Sequence, residues 1–400
     1  MSSSAQPRRF RAEHLGSLIR PDSLLQLRAG LWSGKTDREE LAKAEKEAIR
    51  DIVKMQRDVG LKVVSDGEFT RLLFFDGVFN KLEGMQSVKV PLDQYMEYLG
   101  SSKAIRDRSQ DGTFPSYICT GKLKRTQPFY IPEFEYLKSV VPPEDHANIK
   151  ITMCSPEWFH IRHGPYTYSK DAYSSDEEYF ADIVTAYRAE LAELYDAGCR
   201  NIQFDDPQLI EFCSSDSLDG MRKHGMDPDK LLQLYIDTYN RILEGRPEGL
   251  RVGIHICRGN FKESEEHYTT KGSYDRIAIK LFNELNVDRY YLEYETGRAG
   301  TFEPLKHLPK HKDVVLGLVS TKTAVLEDPE ELKARVNTAA ELIASGGDGR
   351  SKEEALNQIC ISPQCGFASK DDAHKFTHED MVKKLKLVVD TANAIWPGEA

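Results

Sequence analysis

Apolar residues recur along the chain in two rhythms that alternate. In "TDREELAKAEKEAIRDIVKMQRDVG", residues 36–60, they fall at Leu41, Ala44, Ala48, Ile52, Met55 and Val59, the spacing of one helix face. Thr36 and Glu39 stand where a capping box would open that helix, and Gly60 stands where it would stop. Residues 174–198, "SSDEEYFADIVTAYRAELAELYDAG", repeat the design, with Ser175 and Glu178 as the box, Ile183, Tyr187, Leu191 and Leu194 on one stripe, and Gly198 as the stop. Each of these helical stretches runs directly into a short apolar run.

Eight such runs read as strands: RFRAEHLG, LKVVSDG, IKITMCSP, NIQFDDP, RVGIHIC, DRYYLEYE, DVVLGLVS and QICISPQC, most of them separated by a helical segment. Strands alternating with helices imply right-handed parallel βαβ units, and eight of them predict an α/β fold closed as a (β/α)8 TIM barrel. The second and third runs are too far apart for one helix. Residues about 74–147 therefore read as an insertion, part of a lid or an oligomer contact. No internal repeat or low-complexity linker divides the rest, so residues 9–400 are expected to form one catalytic domain behind a loose tail, residues 1–8.

Composition narrows the functional classes. A net charge of −10 without a dense Lys/Arg block excludes a nucleic-acid groove as the main business and leaves small molecules as partners. No stretch of about 18 apolar residues offers a membrane span. The N-terminus has arginines but no apolar segment behind them, which points to the cytoplasm. Seven scattered cysteines do not resemble a disulfide framework. Cys119, Cys154, Cys199, Cys213 and Cys360 read as buried thiols.

In a barrel of this type the site lies where the strands end. Polar residues gather at those ends: His14 and Ser17, Asp66 and Glu68, Asp205 and Asp206, His255 and Cys257, Glu293 and Glu295, and Cys365. Strand period two puts His255 and Cys257 on one face, and Glu293 and Glu295 on one face of the next strand. Taken alone, His-x-Cys is a core strand with an inert thiol. Joined with a carboxylate and Cys365 at the same barrel end, it offers one nitrogen, two thiolates and one oxygen, a tetrahedral set that suits Zn2+.

The motifs HLGSLIRP, SDGEF, IQFDDP, HIC, YETGR and SPQCGF, in this order over about residues 10–396, resemble the C-terminal catalytic barrel of cobalamin-independent methionine synthase. The superfamily also contains uroporphyrinogen decarboxylase. The full synthase has a second barrel that this chain lacks, so the chain looks like a short, single-barrel relative. The resemblance implies a zinc ion held by His255, Cys257, Glu295 and Cys365, with Glu293 as the alternative to Glu295. It also implies Ser17, Glu68 and Asp205 as homocysteine-binding positions, Asp205 meeting the amino group. On the seventh strand the family carries a histidine that assists the leaving folate amine. Here Val319 stands in its place, which leaves the donor open and Lys322 as a candidate acid.

The expected activity is a zinc-dependent S-methyltransferase acting on homocysteine or a similar small thiol, with methyl-folate as one candidate donor. Coordination turns a thiol into its thiolate, and two cysteinate ligands leave the metal little positive charge with which to quench it. Two alternatives stand beside this reading. One is an alkyltransferase joining a thiol to an epoxide, as in epoxyalkane:coenzyme M transferase, whose sulfonate substrate needs basic residues rather than Glu68 and Asp205. The other is a non-catalytic zinc- or thiol-binding barrel.

Overall fold

The computed structural model describes residues 10–261, 263–369 and 377–399; the tail expected at residues 1–8 lies outside them. Two strands, β1 (Leu82–Pro91) and β2 (Thr113–Arg125), form an antiparallel pair. The remaining six, β3 (Lys150–Cys154), β4 (Asn201–Asp206), β5 (Arg251–Ile256), β6 (Arg289–Glu293), β7 (Asp313–Val319) and β8 (Ile359–Pro363), form one parallel sheet in sequential order. These six coincide with the last six runs read from the sequence. The first two runs are not ladders. Ala12 makes a single parallel bridge to Ile361 on β8, and Val64 makes one to Ile149 at the start of β3. The two bridge segments touch each other through Ser65 Oγ, which donates to the Gly16 carbonyl at 2.9 Å, and the Leu18 amide, which donates to the Gly67 carbonyl at 3.1 Å. The edges of the sheet are thus joined by segments too short and too turn-rich to pair as strands.

The helices behave largely as their patterns predict. The helix Arg38–Asp58 buries Leu41, Ala48 and Ile52, but its cap is Asp37, whose side chain accepts from the Glu40 amide at 2.8 Å. Thr36 lies one residue too early for that role, because the carboxylate of Asp37 reaches the open amides first. The helix Asp176–Asp196 is capped by Ser175 as expected, while Glu178 turns back to the Ser174 amide instead of closing the box. Gly60 and Gly198 end these helices at φ +99° and +108°. Between β6 and β7 only short 3-10 turns intervene.

Strand alternation builds the interior in layers. Val252, Ile254 and Ile256 of β5 join the main apolar core shared with the helices. The opposite parity faces inward. Leu15, Tyr291, Val315 and Cys360 pack as a separate small cluster, and Gly253 leaves room for Tyr291: a Cβ there would lie 2.6 Å from the ring. On β6 the inward column reads Arg289, Tyr291, Glu293, which are ionic, apolar and ionic from the strand's start to its end. The last of these levels is where the candidate site forms.

Candidate metal centre

Four side chains converge at the carboxyl ends of β5, β6 and β8. The ligand atoms of His255, Cys257, Glu293 and Cys365 all lie within 4.8 Å of one another. His255 is the inward residue one before the end of β5, and Cys257 follows two positions later, its amide donating to the Asp206 carbonyl at 2.9 Å. Glu293 closes β6, and Cys365 stands two residues past β8. All are buried except Cys257, which is half-buried.

The distances fit a tetrahedral ion. Two sulfurs bound at about 2.3 Å to one zinc lie about 3.8 Å apart, and a nitrogen and an oxygen at about 2.0–2.1 Å lie about 3.4 Å apart. Cys257 Sγ and Cys365 Sγ are 3.6 Å apart, far beyond a disulfide bond, and His255 Nε2 is 3.7 Å from Glu293 Oε1. His255 Nε2 is moreover a buried nitrogen with no hydrogen-bond partner, an atom that needs something bound to it. Its other nitrogen, Nδ1, faces Asp205 Oδ1 at 3.4 Å, so the ring is oriented from behind as metal-bound imidazoles usually are.

Without an ion, His255 and the Cys257 thiol keep their protons. Burial disfavours an imidazolium at His255, yet contacts with Asp205 and Glu293 outweigh it and lift the pKa to about 10. Burial would raise Glu293, but His255 and Arg298 hold it down at about 2. The hydrogen bond with Cys365, reinforced by burial, pushes the Cys257 thiol well above its ordinary value. A divalent cation would replace these protons, the exchange expected of a thiol-rich metal site.

The carboxylate in the group is Glu293, the alternative, and not Glu295. Side-chain parity holds only within a strand, and β6 ends at Glu293. Beyond it the chain bends, and Arg298 Nη2 ties both carboxylates together, donating to Glu293 Oε2 at 2.7 Å and also to Glu295 Oε1. Burial and the neighbouring Glu293 push Glu295 up to about 7. Sequence reasoning gave Arg298 no task; its spacing of five and three from the two glutamates in "EYETGR" was the available signal.

The candidate substrate residues surround the same mouth. Ser17 presses on the turn after β8, since a Cβ on Gly366 would meet its Oγ at 1.9 Å. Asp205 sits behind His255 and accepts from Gln203 Nε2 at 2.7 Å. Glu68 is fully buried and is the one non-glycine residue with positive φ, +62°, among those described. Its turn is clamped by Arg20, which donates to the Glu68 and Arg71 carbonyls at 2.9 Å each. Glu68 Oε1 accepts from Thr152 Oγ1 at 2.9 Å, while Oε2 is buried without a partner. Burial, only partly offset by Arg71 and reinforced by Asp205, pushes its pKa up to about 7. Val319 is buried against Pro363, and Cys119, Cys154, Cys199 and Cys360 are buried thiols, with Cys213 half-buried.

Fold and site together define a parallel α/β protein with a buried His-Cys-Glu-Cys group able to hold zinc. Residues 163–394 match the family model of the catalytic domain of the cobalamin-independent synthases, and the chain belongs to that family. It is 34% identical to the uncharacterized protein YxjH of Bacillus subtilis, over 97% of this chain and 95% of that one. It is 23% identical to the methionine synthase of Sulfolobus acidocaldarius, over 88% and 84%. A crystal structure from Listeria monocytogenes, provisionally assigned as a vitamin-B12-independent methionine synthase, superposes with a TM-score of 0.72 at 29% identity, covering 98% of this chain and 99% of that one.

Proposed function

We propose that the protein is a zinc-dependent S-methyltransferase whose acceptor is the thiol of homocysteine or a similar small amino-acid thiol. The observation that carries the proposal is the buried group of His255, Cys257, Glu293 and Cys365, in which His255 Nε2 makes no hydrogen bond. In this reading these four residues hold the metal, and His255, Cys257 and Cys365 are its catalytic core. Zinc, when bound, keeps an incoming thiol as thiolate at neutral pH. Asp205 fixes the imidazole so that Nε2 points into the group. Glu68 Oε2 and Asp205 offer carboxylate to the ammonium of the acceptor, and Ser17 closes that side against Gly366. The name of the Sulfolobus relative, methionine synthase, supports the same acceptor.

The architecture is taken as a (β/α)8 barrel, the bridges at Ala12 and Val64 standing for its first two strands and residues 74–147 for an insertion. Residues 9–400 are read as one domain working in the cytoplasm, and no described helix is long and apolar enough to cross a membrane.

Metal analysis with zinc-edge X-ray absorption, with and without homocysteine, tests the proposal. One zinc per chain that exchanges an oxygen ligand for a third sulfur is the expected result. A zinc shell unchanged by homocysteine, or one that coenzyme M enters in preference, overturns the acceptor assignment. Thiol entry without transfer from any donor would make the protein a thiol-binding barrel.

A further inference from the structure

The buried polar atoms left without a hydrogen bond around the mouth are unevenly distributed. Around the Val64 segment and β4 most are acceptors, Asp66 Oδ2, Glu68 Oε2 and Gln203 Oε1, with Arg71 Nε a donor among them. On the arc following β6, β7 and β8 they are donors: Arg298 Nε and Nη1, Thr321 Oγ1, Lys322 Nζ and Gln364 Nε2. Glu295 Oε2 is the free acceptor on that second arc. The orientation of Gln364 is fixed, because its Oε1 already accepts from the Thr321 amide at 2.6 Å, which leaves the Nε2 hydrogens unspent. The Lys322 ammonium is buried with no hydrogen bond and no close ion pair among the described residues, and Glu295 is the carboxylate near enough to feel its charge. Hydrogens left unspent on a buried ammonium, beside three side chains that each keep an unspent donor atom, favour a further anionic group.

These donors adjoin the metal group. Gln364 precedes Cys365 in the chain, and Arg298 holds Glu293 at 2.7 Å. The Gln364 amide also donates to the Val319 carbonyl at 2.8 Å, which joins the turns after β7 and β8.

The geometry points to an anion-binding pocket formed by Lys322, Thr321, Gln364 and Arg298 beside the metal group, which takes a carboxylate-class group of the alkyl donor. The assignment to the donor rests on the proposed function, since the ammonium and carboxylate of an α-amino acid share one carbon. An acceptor whose ammonium meets Glu68 and Asp205 keeps its carboxylate on that arc, so the opposite arc serves the other reactant.

Trifluoroacetate, followed by its 19F line width on the zinc-loaded full chain, is the probe, with trifluoroethanol as the uncharged control. The wild type should broaden trifluoroacetate and not trifluoroethanol. Lys322→Met should bind it at least about tenfold more weakly, the worth of one charge-assisted hydrogen bond, while Lys322→Arg and Glu68→Gln retain it. Thr321→Val, which removes one hydroxyl, should weaken it about threefold and serves where Lys322→Met fails to fold. Equal broadening by wild type and both Lys322→Met and Thr321→Val, or equal broadening of trifluoroethanol, overturns the pocket. Displacement of trifluoroacetate by homocysteine overturns its assignment to the donor. Because no turnover is needed, loss of thiol entry at zinc with anion binding retained sinks the reaction alone, and the reverse pattern sinks the pocket alone.

Discussion

The two ends of the same parallel sheet treat buried charge in opposite ways. Where the strands begin, Glu13 pairs with Lys150 at 2.9 Å and with Arg289, Arg289 reaches Asp313 at 3.3 Å, and Arg251 pairs with Asp313 as well. Arg289 Nε is the exception left unpartnered there. Where the strands end, Glu68 Oε2, His255 Nε2, Glu295 Oε2 and Lys322 Nζ are buried and make no hydrogen bond. The atoms named at both ends are buried, so desolvation alone does not separate them. What separates them is satisfaction: a closed network specifies the fold, whereas an open one is held in readiness for a ligand by the rest of the structure.

That contrast can be broken experimentally, beginning with the buried His-Cys-Glu-Cys group. Cys365→Ser should cost more zinc affinity than the about 10–100-fold lost with a residue that only orients a ligand, and transfer activity with it, while the chain stays folded by circular dichroism. Retention of stoichiometric zinc would remove Cys365 from the site. At the other end, Glu13→Gln strips Lys150 and Arg289 of a shared carboxylate. Urea denaturation should show about 3–5 kcal/mol of lost stability with zinc content unchanged. A loss under 1 kcal/mol would mean that the closed network is not structural.

Glu68 gives the same contrast a pH signature. The folded chain keeps its proton up to about 7, whereas the unfolded chain releases it near 4.5. The contribution of the protonated carboxyl is therefore fully present below 4.5 and is lost as pH rises through 7. Glu68→Gln should flatten that slope and leave the variant up to about 3 kcal/mol more stable than wild type at pH 8, at the expense of thiol binding. Parallel stability–pH curves for the two proteins would refute it. The smallest effect belongs to Asp205→Asn, which alters the orienting group of His255. Zinc affinity should fall about 10–100-fold by chelator competition, with a melting temperature close to wild type.

Period-two alternation and helix spacing were sufficient to locate six of the strands and the two long helices and to put His255 and Cys257 on one face, because those signals are local; Cys365 joined them only through its place at a strand end and the family resemblance. The Val64 and Ala12 segments read as strands from composition, yet the joining of the sheet's edges there depends on one bridge each and on turn contacts that no local pattern encodes. The pairing of β1 with β2 inside residues 74–147 was not read from the sequence, since its half-exposed strands lack clean alternation.

The choice of Glu293 over Glu295 shows the same division on a single strand. The sequence by itself determined that two glutamates stand two apart at a strand end, next to a His-x-Cys pair and a distant cysteine. Only the tertiary structure decided where β6 stops, and with it which carboxylate faces His255 and which is drawn aside by Arg298. Residue types and periodicity are written along the chain. The end of a ladder and the absence of a hydrogen bond for a buried atom depend on what other segments bring to the same place.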